Sequence, residues 1–383
     1  LQGLIFLFFD VSWQTYLLNA SLLNAFLSVA TYKLLNNFSL RKKYSFFYTI
    51  CLSILAYPTS GTPFVDHHST FFSIIAVYCL ILGMFKEKKV YWFFLPIFVV
   101  LGFLSKQVPS TYIFLSILIV LFYHFTTNSR QKNLEIILTL AISAFLILIS
   151  ILIFFYLNDI KVQSFIDQYI NYPREIGSKR YIELNYDFKN IFLDFKFIYL
   201  VFFILVILNI YKTQSIKNFY KSINFKLFLV FFFLLISLIH HQILTKNQIY
   251  IFFLIPLFAG FVHIELIEFR ERFYKSLSYL LIIICLFSTY KYHNRFNKER
   301  KFHELNNTNP LLGMRADLIS KKFKGLTWLT PNKNSRDEIL NEINEINEIK
   351  NILRKDKNKK MLITNYSIFS VLTNSSQNGF SRW

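Results

Sequence analysis

The sequence predicts an all-α polytopic membrane protein of about ten transmembrane helices, followed by a small C-terminal extramembrane α/β region. Three observations predict it. Apolar runs of roughly 15 to 23 residues recur along the first three quarters of the chain, and a bilayer core of about 30 Å takes about 20 apolar residues per helix. The basic residues between these runs gather in every second connection. Beyond residue 291 the apolar density falls and the charge rises.

Composition narrows the class further. The 383 residues are 54% hydrophobic and include 46 Phe, more than a water-soluble domain could bury. Backbone groups in lipid must satisfy one another, so the apolar runs are expected as helices. Segments such as 133–157 lack the alternation of barrel strands. The net charge of +20 would suggest nucleic acid in a soluble protein. Here it is divided between membrane-flanking loops and a basic tail, and no nucleic-acid partner is expected. Cys51, Cys79 and Cys285 stand alone inside apolar runs and read as small core residues, not as disulfides or metal ligands. The opening LQGLIFLFF and the end at Ser381-Arg382-Trp383 read as the edges of a fragment.

In chain order the expected spans are 14–35, 44–57, 69–85, 89–104, 109–125, 134–156, 196–211, 227–241, 249–265 and 277–291. The basic connections are Arg41-Lys42-Lys43; Lys86, Lys88 and Lys89; Arg130 and Lys132; Lys212, Lys217, Lys221 and Lys226; and Arg270, Arg272 and Lys275. Excess Lys and Arg mark the cytoplasmic side. The other connections, 58–68, 105–108, the long loop 158–195 and 240–248, then face outward, as does the tail. The expected location is a multi-pass position in a bacterial inner (plasma) membrane, with the C-terminal region outside the cytoplasm. The domain reading is a membrane domain over 1–291 and a truncated extramembrane domain over 292–383. In the tail, Ile339, Ile343, Ile346 and Ile349 form one helical face, and the segment 359–364 reads as a basic flank leading into a strand.

Four polar groupings fall on the outward side. The first, 57–68, holds two prolines and a glycine before Asp66-His67-His68 at the start of a span. Asp66 is either a helix N-cap or an acidic group that binds an acceptor or a metal. The adjacent histidines point to different helix faces, which disfavours a two-histidine metal site. The second holds Lys106 between two apolar runs, where it either snorkels to headgroups or meets the phosphate of a lipid carrier, with Pro109 opening the next helix. The third is the long loop, where Phe165, Ile166, Tyr169, Ile170 and Tyr172 suggest an interfacial helix. Arg174, Lys179 and Arg180 follow beside Gly177, as solvated charges or as an anion site. The fourth is His240, His241, Gln242, Thr245, Lys246, Asn247 and Gln248, dense in groups that could meet sugar hydroxyls. His241 is a candidate for proton transfer. No Walker loop, GxGxxG, HExxH or GxSxG is present, so chemistry of those kinds has no support.

Several stretches taken together resemble family 39, GT-C-type membrane glycosyltransferases, the dolichyl-phosphate-mannose-protein mannosyltransferase-like (aminoarabinose-transferase-like) enzymes. They are the opening with its Asp10-Val11-Ser12-Trp13 turn and the following Asn19 and Asn24, then DHHSTFF, GFLSKQVPSTYIF, QYINYPREIGSKR and HQILTKNQIYIFFLIP. The resemblance covers most of residues 1–290, and order and common sidedness carry it. Asp10 departs from the pattern by standing where those proteins place Gly.

The resemblance implies a sugar moved from a polyprenyl-phosphate-linked donor to a lipid, glycan or protein on the outer face. The principal catalytic acid of such enzymes lies in a first outer loop upstream of this chain. Asp66 corresponds to a secondary acidic site. Lys106, Arg174, Lys179 and Arg180 correspond to donor-phosphate contacts. His67, His241, Gln242, Lys246, Asn247 and Gln248 are the candidates for the acceptor or sugar. The expected partners are membrane lipids and the lipid-linked sugar, with a divalent cation as a candidate cofactor and its ligands unassigned. An O-antigen polymerase or ligase-like enzyme, and a multispan transporter or flippase, are the competing readings. A transporter is disfavoured by polar groups that gather at one surface.

Overall fold

The computed structural model describes residues 2–57, 65–182, 184, 186–213, 219–220, 222–245, 251–268, 272–298, 308–356, 358, 361–362, 368–374 and 378–379. The chain divides into two compact units, Ser21–Lys298 and a second formed by Leu1–Ala20 with Glu299–Trp383. The division thus falls at 298/299 rather than 291/292, and the first twenty residues group with the tail.

Each expected span falls largely on a helix over the described residues; residues 249–250 of the ninth lie outside them. The helices are α2 (Trp13–Asn37), α3 (Lys42–Ala56), α4 (Val65–Lys86), α5 (Lys89–Ser105), α6 (Gln107–Thr127), α7 (Arg130–Leu157), α10 (Lys196–Thr213), α11 (Ile223–Thr245), α12 (Leu254–Glu268) and α13 (Arg272–His293). Five of them, α4, α6, α7, α10 and α11, are long and apolar enough to cross a bilayer. The chain is a largely helical membrane protein. The other five expected spans are helical but too short or too polar to meet the same standard by themselves.

The helices pack in two groups joined by one apolar core. In the first, α4 lies against α5, α6 and α11, and α5 carries α7 on its other side. In the second, α12 lies against α10, α13 and α3. The α4 helix is enclosed almost throughout, whereas α7 buries only Ile136 and Ser143 and exposes Leu138, Phe145 and Phe154. A helix so apolar and so exposed has lipid as its natural solvent. Pro96 inside α5 supplies no N–H to the turn before it, and Ser143 of α7 donates to the nearby Phe93 carbonyl at 2.6 Å. Between α6 and α11, Ser116 and Ser237 bond to each other at 2.7 Å and reach the Phe233 and Tyr112 carbonyls. Cys51, Cys79 and Cys285 are buried free thiols, as the sequence predicts.

Hydrogen bonds sort the helix ends. At the end carrying the basic connections, Lys132 bridges to Glu87, Lys89 to Glu135, and Lys212 to Glu265. The Lys212 pair includes a carboxylate that is 6% exposed. Lys226 was expected in a solvated basic connection. It lies instead in the first turn of α11, 9% exposed, with Nζ 3.1 Å from Nδ1 of His124 on α6.

In the second unit, α1 (Gln2–Phe9) is followed by Asp10 at φ 65°, whose carboxylate accepts from the next backbone N–H at 2.7 Å. Asp10 thus occupies the left-handed conformation that the Gly of the resembled motif would adopt easily. The expected amphipathic helix is α14 (Arg336–Lys355), opened by Ser335 capping the Glu338 N–H while Glu338 reaches back to Ser335. Ile339 and Ile343 are buried in a cluster with Ile319 and Leu372. Ile349 is 41% exposed, because four residues at those spacings drift around the helix. The expected strand is β3 (Met361–Leu362), paired in parallel with β4 (Asn378–Gly379); β1 (Met314–Arg315) pairs with β2 (Thr327–Trp328) in antiparallel fashion. Residues 359, 360, 363 and 364 lie outside the described residues.

Candidate functional site

The site lies at the end of the bundle opposite the basic connections. His124 and Gln107 sit near opposite ends of α6, about 25 Å apart along its axis. Three segments distant in sequence meet there. Asp66 stands in the first turn of α4, Lys106 at the junction of α5 and α6, and His241 in the last turns of α11. The Lys106 ammonium donates to Asp66 Oδ1 at 2.6 Å, and His241 Nε2 lies 3.2 Å from the same oxygen. Asp66 Oδ2 takes no hydrogen bond from the described residues. The Asp66 and Lys106 side chains are 16% and 26% exposed, while His241 is fully enclosed.

Local backbone chemistry sets this geometry. α5 and α6 meet end to end through extended residues at Lys106 (φ −164°, ψ 140°) and Val108 (φ −117°, ψ 138°), and Pro109 begins the regular part of α6. The Lys106 carbonyl, freed from any helix, accepts from Ser69 Oγ at 2.9 Å. Gly102 lets the chains approach: a Cβ there would stand 2.7 Å from Ser73 Oγ and 2.9 Å from Ser110 Oγ. Close packing around Gly102 therefore fixes where Lys106 leaves its helix.

The long loop folds onto the same end. It is helical through α8 (Val162–Phe165), a π-helical turn Ile166–Asn171 and α9 (Tyr172–Ile182). Pro173 does not end this helix. Its missing N–H would have served the Tyr169 carbonyl, and the Gln107 side chain donates to that carbonyl instead. Tyr169 returns a hydrogen bond to the Phe103 carbonyl, and burial pushes its phenol up to about 12, so it remains a donor at neutral pH. Tyr181 bonds to Tyr112 of α6, and Tyr186 to His240 at 3.0 Å. Arg180, beside Tyr181, thus belongs to the same end as Asp66.

The remaining candidates divide. Arg174 lines an open groove of about 610 Å³ with Asp167, Asn171, Tyr172, Glu175 and Ser178. Arg180 is exposed, and its position lies about 120° from that of Arg174 around α9. The basic run is therefore helical and does not curl into one anion nest; Lys179 lies in the same helix. His67 is buried and packs edge-on against Phe71. Gln242 is 1% exposed, and neither of its amide atoms is hydrogen-bonded to the described residues. An amide left in that state costs about 1–3 kcal/mol, which marks it as a group awaiting a polar partner. Lys246, Asn247 and Gln248 lie outside the described residues, as does 58–64 of the first grouping. Among the described residues no group of three His, Cys, Asp or Glu side chains is placed to hold a metal. The Lys106 ammonium already on Asp66 would repel a dication.

Sequence reasoning treated Asp66, Lys106 and His241 as separate groupings and missed that one carboxylate oxygen joins them. The available signal was their common sidedness. No family model matches the chain, and neither a curated protein nor a solved structure is significantly similar to it.

Proposed function

We propose that the protein is a membrane glycosyltransferase that moves a sugar from a polyprenyl-phosphate-linked donor to a hydroxyl acceptor at the outer membrane surface. The observation that carries this reading is the convergence of Lys106 and His241 on Asp66 Oδ1 at the end of the bundle opposite the basic connections. Such a cluster supplies a cation for a phosphate, a carboxylate oxygen for a hydroxyl, and an imidazole oriented by the same carboxylate.

An ammonium has three donors, and Asp66 occupies one of those on Lys106. The others can meet the phosphate of the donor as negative charge develops on it. Arg174 and Arg180, on the helix laid over this end, extend the positive surface toward the lipid-linked diphosphate or monophosphate. In the reaction the bond from the anomeric carbon to the phosphate oxygen breaks, and the phosphate leaves with the electron pair. The acceptor oxygen bonds to the same carbon from the opposite side, inverting it. Asp66, whose Oδ2 lacks a hydrogen bond from the described residues, accepts the hydrogen bond of the acceptor hydroxyl and positions it, and the proton passes to the principal carboxylate that the resemblance places upstream. Gln242 offers its amide to sugar hydroxyls. The ten expected helices would all cross the membrane, with the basic connections in the cytoplasm of a bacterial cell and residues 292–383 outside.

The test is transfer of labelled sugar from a polyprenyl-phosphate donor in proteoliposomes carrying the protein. Asp66→Asn is expected to lower turnover by about 10²-fold, the scale of a misplaced reacting group. Lys106→Gln is expected to impair donor use with the helical fold retained. Wild-type turnover in both variants would overturn the assignment. Movement of the lipid-linked sugar between leaflets without transfer would favour the transporter reading.

A further inference from the structure

A second polar cavity lies at the opposite end of the bundle, between the connections 86–89 and 128–132. It measures about 190 Å³ and is bounded by the end of α4, the start of α5, the end of α6 and the first turns of α7. Its floor is the buried Trp92 indole and the buried His124 ring, 5.6 Å apart. Its rim carries the Lys132–Glu87 pair, closed through both carboxylate oxygens at 2.9 and 3.0 Å, and the Lys89–Glu135 pair at 3.0 Å.

The charges at this end do not cancel. Each rim lysine has its own carboxylate. Behind the floor, Lys226 is 9% exposed; its ammonium lies 3.1 Å from His124 Nδ1 and feels the Glu87 carboxylate, which Lys132 already holds. A buried cation that shares its nearest carboxylate with another lysine is costly, and a neutral imidazole relieves little of that cost. The His124 ring is thus flanked by two nitrogen groups, the Lys226 ammonium at Nδ1 and the Asn128 amide nitrogen 2.8 Å from Nε2. A primary amide carries two N–H hydrogens, so one on Asn128 is left to face elsewhere, and both His124 and Asn128 line the cavity. The site therefore presents a surplus positive charge, an amide donor and the Lys132 ammonium to one small volume.

We infer that this cavity binds the phosphate of an anionic phospholipid headgroup, with Lys226 supplying the uncompensated charge and Lys132 and Asn128 the direct contacts. Two further observations point to a lipid. The cavity is built on the first turns of α7, whose outward residues Leu134, Ile137 and Leu138 are exposed and apolar, a track for an acyl chain. It also opens among basic connections, where basic pockets between helices meet anionic headgroups at the membrane surface. A soluble phosphate ester shares the headgroup chemistry but would not use α7.

The experiment is native mass spectrometry of the purified full chain, titrated with phosphatidylglycerol, phosphatidylcholine or glycerol phosphate. Wild-type protein is expected to retain phosphatidylglycerol about tenfold more tightly than phosphatidylcholine, as one charge-assisted contact allows. Lys226→Gln and the exposed Lys132→Gln should each erase that preference, and Lys226→Arg should keep it. Competition by glycerol phosphate at equal concentration would assign the phosphate site to a soluble ester; no competition assigns it to the lipid. Equal retention of the two lipids by wild type, or an unchanged preference in a folded Lys132→Gln protein, would overturn the inference. The wild-type comparison stands even if Lys226→Gln fails to fold.

Discussion

At one end of the bundle a single carboxylate, Asp66, serves both Lys106 and His241, drawn from three helices and mostly shielded from water. At the other, Glu87 and Glu135 each hold one lysine in the open, with side chains 49–72% exposed, while Lys226 beneath them bridges to no carboxylate among the described residues. Both ends are polar, yet the two arrangements differ in what they commit. Shielded groups that share one atom are interdependent, and disturbing one disturbs three. Exposed pairs are nearly independent, because water replaces whichever partner is lost. The first arrangement suits chemistry, and the second suits anchoring in a charged interface.

The comparison breaks most sharply at Asp66. Asp66→Ala strips Lys106 and His241 of their shared acceptor and is expected to cost about 3 kcal/mol, the low end for breaking a buried pair. Unfolding of the purified protein in detergent would check it, and an unshifted midpoint would place the pair in effect at the surface. Gly102→Val tests the packing that fixes Lys106. Its Cβ would fall 2.7 Å from Ser73 Oγ and 3.2 Å from the Ser69 carbonyl, and the same assay should show a loss of about 1–3 kcal/mol from overpacking. Gln242→Leu should act in the opposite sense. Removing an unbonded buried amide is expected to stabilise the fold by about 1 kcal/mol while sugar transfer falls, so that melting and turnover move apart. Lys89→Ala at the basic end should change stability by less than about 1 kcal/mol, and that change should vanish in high salt.

The apolar runs were legible because a bilayer imposes length and composition on each helix separately. Each expected span falls largely on a helix over the described residues, and Ile339 and Ile343 are buried as their spacing requires. The relations between helices were not legible. Asp66 and His241 are separated by 175 positions, and nothing in either neighbourhood names the other. Lys226 was grouped with loop cations because charge alone suggests solvent; only the facing His124 explains how α11 can begin with a buried lysine. The Tyr169 carbonyl in the long loop also finds its donor, Gln107, on another helix. The attachment of residues 1–20 to the tail likewise rests on contacts between chain ends that no local pattern encodes.

The extended break at Lys106 and Val108 has a mechanical consequence. Two stiff rods joined by a few unwound residues hinge at that point, and the Lys106 ammonium is mounted on the hinge. Membranes of unequal thickness change the tilt of the rods they hold, at modest cost per ångström of mismatch. Lys106 thus belongs to the joint between two rods and to neither rod alone, so whatever alters the angle between α5 and α6 must also strain its grip on Asp66.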